Sequence, residues 1–157
     1  MTGWTVVQVS DPAALVAASH LFDGPVSLAG ATDTLGRPGH VVLLARAADG
    51  HDVGFVSGVE MRHPDKDAEL FLYELGVDEA WRRQGVATAL LAALRDVALA
   101  RGCRGMWTGT EADNDAALAT YRAAGAEIDD GSVFVVWDDL AEVPPGGAAP
   151  TEEGSAG

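Results

Sequence analysis

An α/β fold, with a mixed sheet covered by helices on both faces, is what this sequence predicts, and three observations lead there. Short Val- and Leu-rich segments of strand character fill most of the first half of the chain. From Gly85 the apolar spacing changes to a helical stripe. Beyond that stripe, strand-like and helix-like segments alternate, so the order is strand, helix, strands, helix, strand, helix, strand.

Val6, Val7 and Val9 in WTVVQVS mark the first strand. DPAALVAASHLF opens a helix with Asp11 as its cap and Pro12 at the first helical position. The segment from Asp23 to His40, rich in Gly, Pro, Asp and Thr, holds a short helix or is mostly loop. HVVLLARAADGHDVGFVSGVEM reads as two strands joined through Ala48, Asp49 and Gly50, a hairpin signal. AELFLYELGV adds a strand from Glu69 to Val77. Leu90, Leu91, Leu94, Val97 and Ala98 then fall on one helical stripe, with Arg95, Asp96 and Arg101 off it and Gly102 ending the helix. RGMWTGT is a short strand, NDAALATYRAAG a second long helix ending at Gly125, and SVFVVWDDL a last strand. Residues 1–141 form one domain. Residues 142–157, Pro/Gly/Ala-rich and without an apolar stripe, read as a disordered tail.

A chain of 157 residues suits one domain with a sizeable core, and 48% hydrophobic with 22% charged residues is an ordinary globular composition. The apolar runs are too short or too interrupted for a membrane span, and the N-terminus lacks the pattern of a signal peptide. Cys103 is the one cysteine, so no internal disulfide forms, and a cytoplasmic location is expected. His20, His40, His51 and His63 lie scattered without ligand spacing, so no metal is expected. Cys103 follows the helix-ending glycine and reads as a small buried side chain, and Trp81, Trp107 and Trp137 as packing residues. A formal net charge of −14 excludes a nucleic-acid partner. That charge serves solubility, or it attracts a cationic small molecule.

The start of the long helix is unusual. WRRQGVATALL offers no Ser, Thr, Asp or Asn cap, only bare backbone beside Arg82 and Arg83. Gly85 lets backbone approach a ligand closely, and the N–H groups of residues 83–88 point outward there, four such donors lacking intrahelical partners at the positive end of the helix dipole. This composition is that of a pyrophosphate cradle. It is neither a P-loop nor a three-glycine dinucleotide fingerprint.

Arg82-x-x-Gly85-x-Ala87 resembles the acetyl-CoA pyrophosphate loop of the GCN5-related N-acetyltransferase (GNAT) superfamily. The run NDAALATYRAAGA supports it: Asn114, Ala117, Tyr121 and Gly125 match the family's N-x-x-A-x-x-x-Y-x-x-x-G. More narrowly, LFLYELGVDEAWRRQGVATALLAALRDVALARG is similar to the gentamicin-type aminoglycoside 3-N-acetyltransferases, through Tyr73, Glu74, Leu75, the Arg82–Ala87 loop, Thr88, Ala89 and Leu90. Glu74 stands where that subfamily usually has Asp, and Asn114 replaces an acid.

The resemblance implies a mostly antiparallel sheet of about six or seven strands. It also implies direct acetyl transfer from acetyl-CoA to a primary amine, probing three tasks in turn. Backbone of Leu75, Gly76 and Val77 would hold the thioester, with Gly76 at a bulge that splays the sheet or simply at a strand terminus. Arg82, Arg83, Gln84, Gly85, Val86, Ala87 and Thr88 would bind the pyrophosphate, and Asn114 and Tyr121 on the second helix would also contact the cofactor. Glu74 interrupts an otherwise apolar strand, on the face opposite Tyr73 and Leu75, and is the candidate base that deprotonates the ammonium. Tyr121 is the candidate acid for the leaving thiolate.

Glu111, Asp113, Asp115, Asp138 and Asp139 are candidate partners for a polycationic substrate, although Asp113 or Asp115 serves equally as a helix cap and Asp138 and Asp139 as solvated charges. The expected acceptor is an aminoglycoside, acetylated at its 3-amino group. The rivals are a polyamine or protein N-terminus, and a non-catalytic acetyl-CoA-binding module. A homodimer is compatible with the resemblance, with no interface stripe identifiable in the sequence.

Overall fold

The structure is a computed structural model and describes residues 3–142. Its elements are β1 (Trp4–Gln8), α1 (Pro12–Ala17), a 3-10 turn at Ser19–Leu21, α2 (Leu28–Leu35), β2 (His40–Ala47), β3 (Asp52–Met61), β4 (Glu69–Val77), a 3-10 turn at Glu79–Trp81, α3 (Val86–Ala100), β5 (Gly105–Trp107) and α4 (Asp115–Ala123). The strands form one sheet in the order β1-β2-β3-β4-β5. The first three pairings are antiparallel, and β4 pairs with β5 in parallel across the α3 crossover.

The α/β class with a mixed sheet and helices on both faces is what the sequence predicted. Asp11 caps α1 by accepting from the Ala13 N–H at 2.9 Å, with Pro12 at the first position. The ambiguous segment after Asp23 contains α2, capped by Ser27, whose hydroxyl accepts from Gly30 N–H at 3.0 Å. The turn through Ala48, Asp49 and Gly50 joins β2 to β3, with Gly50 at φ 89°.

The sheet separates two cores. Along β2, Val41, Leu43, Ala45 and Ala47 point to one side, where Val86, Leu90, Leu91, Leu94 and Ala98 of α3 cover them. Val42 and Leu44 point to the other, beneath Leu15, Ala18 and Ala31 of the first two helices. The period of two in the strand meets the helical stripe of α3, and this pairing of periods fixes which residues are buried. α3 lies so close to β3 that a Cβ at Gly54 would stand 2.9 Å from Val86 Cγ1.

Two expectations need correction. SVFVVWDDL is not a strand: residues 132–137 pair with nothing in the sheet, and Val133, Phe134, Val135, Val136 and Trp137 are exposed, so Trp137 is not a packing residue. The described sheet therefore has five strands rather than six or seven. Local propensity favours a strand there, but a strand needs a partner edge with matching register, and the segment meets the domain elsewhere, its Phe134 ring lying over Gly109. The tail expected from residue 142 lies, beyond that residue, outside the described ones. No helix among the described residues is long and apolar enough to cross a membrane.

Leu90 is fully buried at 0% exposure and Leu99, on the same helix, is 56% exposed. Leu90→Ala is expected to cost about 3 kcal/mol of unfolding free energy. Leu99→Ala should change it by no more than about 0.5 kcal/mol. Urea titration followed by circular dichroism measures both.

Candidate active site

A cavity of about 470 Å³ opens where β4 and β5 part. Their pairing covers only Glu69–Phe71 against Gly105–Trp107, after which β4 runs on to Val77 without β5. Thr108, just past β5, donates its hydroxyl to the Leu72 carbonyl at 2.9 Å and closes the narrow end of the cleft. From Tyr73 to Val77 β4 lines the cavity with its β5-side edge unpaired, leaving main-chain donors and acceptors for a ligand.

The bulge lies at Tyr73, not Gly76. Ser57 faces Glu74 and Gly58 faces Leu72, so Tyr73 is the extra residue between two partners. Leu70 and Leu72 before it, and Leu75 and Val77 after it, belong to the α3-side core, so the bulge shifts the alternation by one. Tyr73 and Glu74 are consequently both exposed, and Glu74 is not on the face opposite Tyr73 as strict alternation required. Both side chains line the cavity. Gly76 keeps regular pairing with Phe55, and its need is steric: a Cβ would stand 2.7 Å from Phe55 Cε1.

One wall of the cleft is α4. Asn114, Ala117, Thr120 and Tyr121 recur at helical spacing along its cavity face. Asn114 is the N-cap of α4, its side-chain oxygen accepting from Ala117 N–H at 3.1 Å. Its amide also donates to Thr110 Oγ1 at 3.3 Å. Tyr121 packs against the α3-side core. Burial pushes its phenol above the ordinary value, opposed by hydrogen bonding with Thr108, so it carries its proton at neutral pH.

The start of α3 is built as the sequence suggested. Gly85 is its N-cap at φ 84°, with no side-chain cap. Arg83 is also left-handed at φ 60°. The first helical bond runs from Ala89 N–H to Gly85 C=O at 3.0 Å. The N–H groups of Val86, Ala87 and Thr88 thus precede the helical ladder, and left-handed residues in such a turn aim N–H groups at a common point. Arg82 donates from Nε to the Val77 carbonyl at 3.3 Å, tying the loop to the end of β4. Gln84 instead donates back to the Ala80 carbonyl at 3.0 Å. Arg82 and Ala87 line the cavity, Val86 is buried in the core, and Arg83 is exposed.

The carboxylates divide differently from the sequence expectation. Glu74 and Asp23 line the cavity. Glu111, Asp113 and Asp115 do not, although their neighbours Thr110 and Asn114 do. Asp138 and Asp139 end no strand and lie outside the cavity wall, and Asp139 accepts from Ala141 N–H at 2.9 Å. Their placement was tied to a strand that does not form. Asp23, Thr108 and Thr110 were not among the expected site residues. LFD at Leu21–Asp23 and TGT at Thr108–Thr110 were the available signals, too short to weigh without the fold. Cys103 is buried away from the cleft, and burial raises its thiol pKa, so it is no ready nucleophile.

This strand-splayed cleft beside an uncapped helix start agrees with the comparisons. The Acetyltransferase (GNAT) family model matches residues 17–126. The chain belongs to that acetyltransferase family. It is 38% identical over 110 residues to a mycothiol acetyltransferase of Clavibacter michiganensis subsp. michiganensis, covering 68% of this chain and 34% of that protein. It is 35% identical over 101 residues to an aminoglycoside N(6')-acetyltransferase type 1 of Stenotrophomonas maltophilia, covering 61% and 65% respectively. The chain thus spans about a third of the first relative's length and just under two thirds of the second's. Among solved structures, an aminoglycoside acetyltransferase from an uncultured soil metagenomic sample, in complex with sisomicin, superposes with TM-score 0.77 at 17% identity, covering 86% of this chain and 95% of that one. AAC(6')-Iy in complex with a bisubstrate analogue of CoA and acetylneamine gives 0.71 at 23%, covering 85% and 97%. These two likenesses establish the fold.

Gly85→Ala forces a Cβ into the left-handed region and should destabilise the protein by roughly 1–2 kcal/mol, read by denaturant unfolding. The Tyr121 phenol should titrate above the ordinary value of about 10, as the difference between ultraviolet titrations of wild type and Tyr121→Phe. A raised native pKa means the unfolded state loses this proton first, so Tyr121 makes stability fall as pH rises from about 10 through the native value.

Proposed function

We propose that this protein transfers the acetyl group of acetyl-CoA directly to a primary amine of an aminoglycoside. The observation that carries the reading is the cavity at the parting of β4 and β5, with Glu74 and Tyr121 both in its wall. Main-chain groups of Leu75, Gly76 and Val77 hold the thioester against the unpaired edge of β4. The Gly85–Thr88 turn, with Arg82 and Arg83, receives the pyrophosphate, where free N–H groups and the helix dipole favour an anion. Gln84, whose side chain is engaged with Ala80, contributes backbone only.

Glu74 takes a proton from the substrate ammonium, directly or through a water, because a protonated amine has no lone pair to attack with. The amine nitrogen bonds to the thioester carbon, the C–S bond breaks, and the sulfur leaves as a thiolate. Tyr121, kept protonated by burial, supplies the proton that makes the free thiol, and the second proton lost by the acetylated nitrogen passes through water to the tyrosinate and restores it. A raised pKa weakens it as an acid but keeps the proton in place at neutral pH.

The acceptor assignment rests on the relatives named as aminoglycoside acetyltransferases and on the charge of −14. Within the cleft, Glu74 and Asp23 meet the substrate's ammonium groups, while Glu111, Asp113 and Asp115 contribute longer-range attraction from beside it. The sequence resemblance points to the 3-amino group and the relatives' names to the 6′-amino group; the product's acetylated nitrogen, read by NMR, decides. The protein acts in the cytoplasm on this reading.

Thiol release from acetyl-CoA with gentamicin, kanamycin, spermidine and a Ser-starting peptide tests the acceptor. Turnover with an aminoglycoside should exceed the others. Turnover confined to spermidine or peptide replaces the acceptor, and none at all, despite acetyl-CoA binding, leaves a binding module. Glu74→Gln and Tyr121→Phe should each lower kcat by about 10²–10⁴-fold, with the acetyl-CoA Kd nearly unchanged by calorimetry.

A further inference from the structure

Among the described residues, His20, His51 and Asp78 come together at one edge of the domain, with one ligand atom of each within 4.8 Å of the other two. They arrive from three places: the 3-10 turn after α1, the β2–β3 turn, and the residue just past β4. From these positions we propose a divalent transition-metal site, with zinc as the fitting ion. Two imidazole nitrogens and one carboxylate oxygen form a borderline donor set that suits zinc far better than calcium or magnesium.

The hydrogen bonds of His20 and Asp78 support this. His20 donates from Nε2 to the Asp52 carbonyl at 2.9 Å, which fixes its tautomer and leaves Nδ1 with its lone pair free. A backbone carbonyl behind a ligating imidazole is the usual outer partner of a metal-bound histidine. Asp52 is itself held by Arg46, whose Nε donates to its carboxylate at 2.8 Å. Asp78 commits Oδ1 to the Ala80 N–H at 3.1 Å, leaving Oδ2 available. That oxygen stands 3.7 Å from His51 Nε2, too far for a hydrogen bond. Ligand atoms about 2.1 Å from a tetrahedral zinc stand about 3.4 Å apart, so the gap nearly matches an edge of that polyhedron. The His20 and His51 rings stack nearly parallel, 18° apart with centroids at 4.8 Å, so ion binding requires His51, exposed on its turn, to rotate out of the stack and aim its lone pair at the ion.

Three protein ligands leave a fourth position for water. The sequence hid the site because His20 and His51 are distant in the chain and neither has a metal-spaced neighbour. A bound ion would staple two walls of the cleft: Leu21, Phe22 and Asp23 follow His20, and Val77 precedes Asp78. The site stands apart from the proposed acetyl transfer and does not rest on it.

The test is titration of metal-free full chain with ZnCl2 by calorimetry, and with CoCl2 by visible absorption, for wild type, His51→Gln and Asp78→Asn. Neither substitution enters the core, and Asn at 78 keeps the oxygen that caps the following turn. One zinc per chain should bind wild type, raise its melting midpoint, and give Co²⁺ the intense visible bands of a tetrahedral site. Each variant should weaken binding by at least about tenfold, the effect of losing even an outer-sphere partner, while His63→Gln, near Glu69, should bind like wild type. Equal affinity in wild type, His51→Gln and Asp78→Asn, or no zinc binding up to millimolar concentration, overturns the site.

Discussion

The parallel pairing of β4 with β5 stops after three residues, and the cleft exists because of it. A longer ladder would consume the main-chain groups of Tyr73–Val77 and bring α4 against β4. What halts it is local. Thr108 inserts its hydroxyl onto the Leu72 carbonyl, taking the next acceptor that β5 would have used, and the chain then turns away through Gly109 and Thr110 into α4. One residue further along β4 the Tyr73 bulge re-aims the strand, so that two consecutive side chains face the opening rather than one. An unpaired edge inside a sheet is ordinarily a liability. Here α4 and the Leu21–Asp23 segment flank it, which leaves it to a small molecule and not to another strand.

Electrostatics divide the same space. The chain is strongly acidic, yet Arg82, Arg83 and the uncapped start of α3 place positive charge at one end of the cleft, while Glu74 and Asp23 bring negative charge to its wall. An anionic group and a cationic group would thus be sorted to different ends before any contact forms. The left-handed residues Arg83 and Gly85 set this up, because they turn backbone N–H groups outward where a side-chain cap would have covered them.

The second core fixes the wall that Leu21, Phe22 and Asp23 form. Phe22 packs on Phe55 with centroids 4.1 Å apart, and the missing Cβ of Gly76 gives that ring its space. Leu21 and Phe22 are thereby anchored over the sheet, which carries Asp23 to the cavity and His20 to Asp52 and His51. The Phe22–Phe55 contact thus lies between the cleft wall and the place where His20, His51 and Asp78 meet.

Local chemistry determined much of this protein. The Asp11–Pro12 start, the turn at Asp49–Gly50, the stripe of α3 and the bare loop before it are all decided within a few residues, by capping, by φ and by apolar period, and the sequence alone carried them. The arginine–glycine loop and the Asn114–Tyr121 run were legible for the same reason, each lying on one element with its spacing intact. Tertiary structure decided what depends on partners distant in the chain. SVFVVWDDL has strand propensity yet joins none of the sheet's open edges, so Asp138 and Asp139 lost the place expected for them. The bulge appears at Tyr73 rather than Gly76 because register belongs to two strands at once, and that set the facing of Glu74. Asp23, Thr108 and Thr110 in the cleft, and His20 beside His51, became neighbours only when the sheet and its crossovers brought separated segments together.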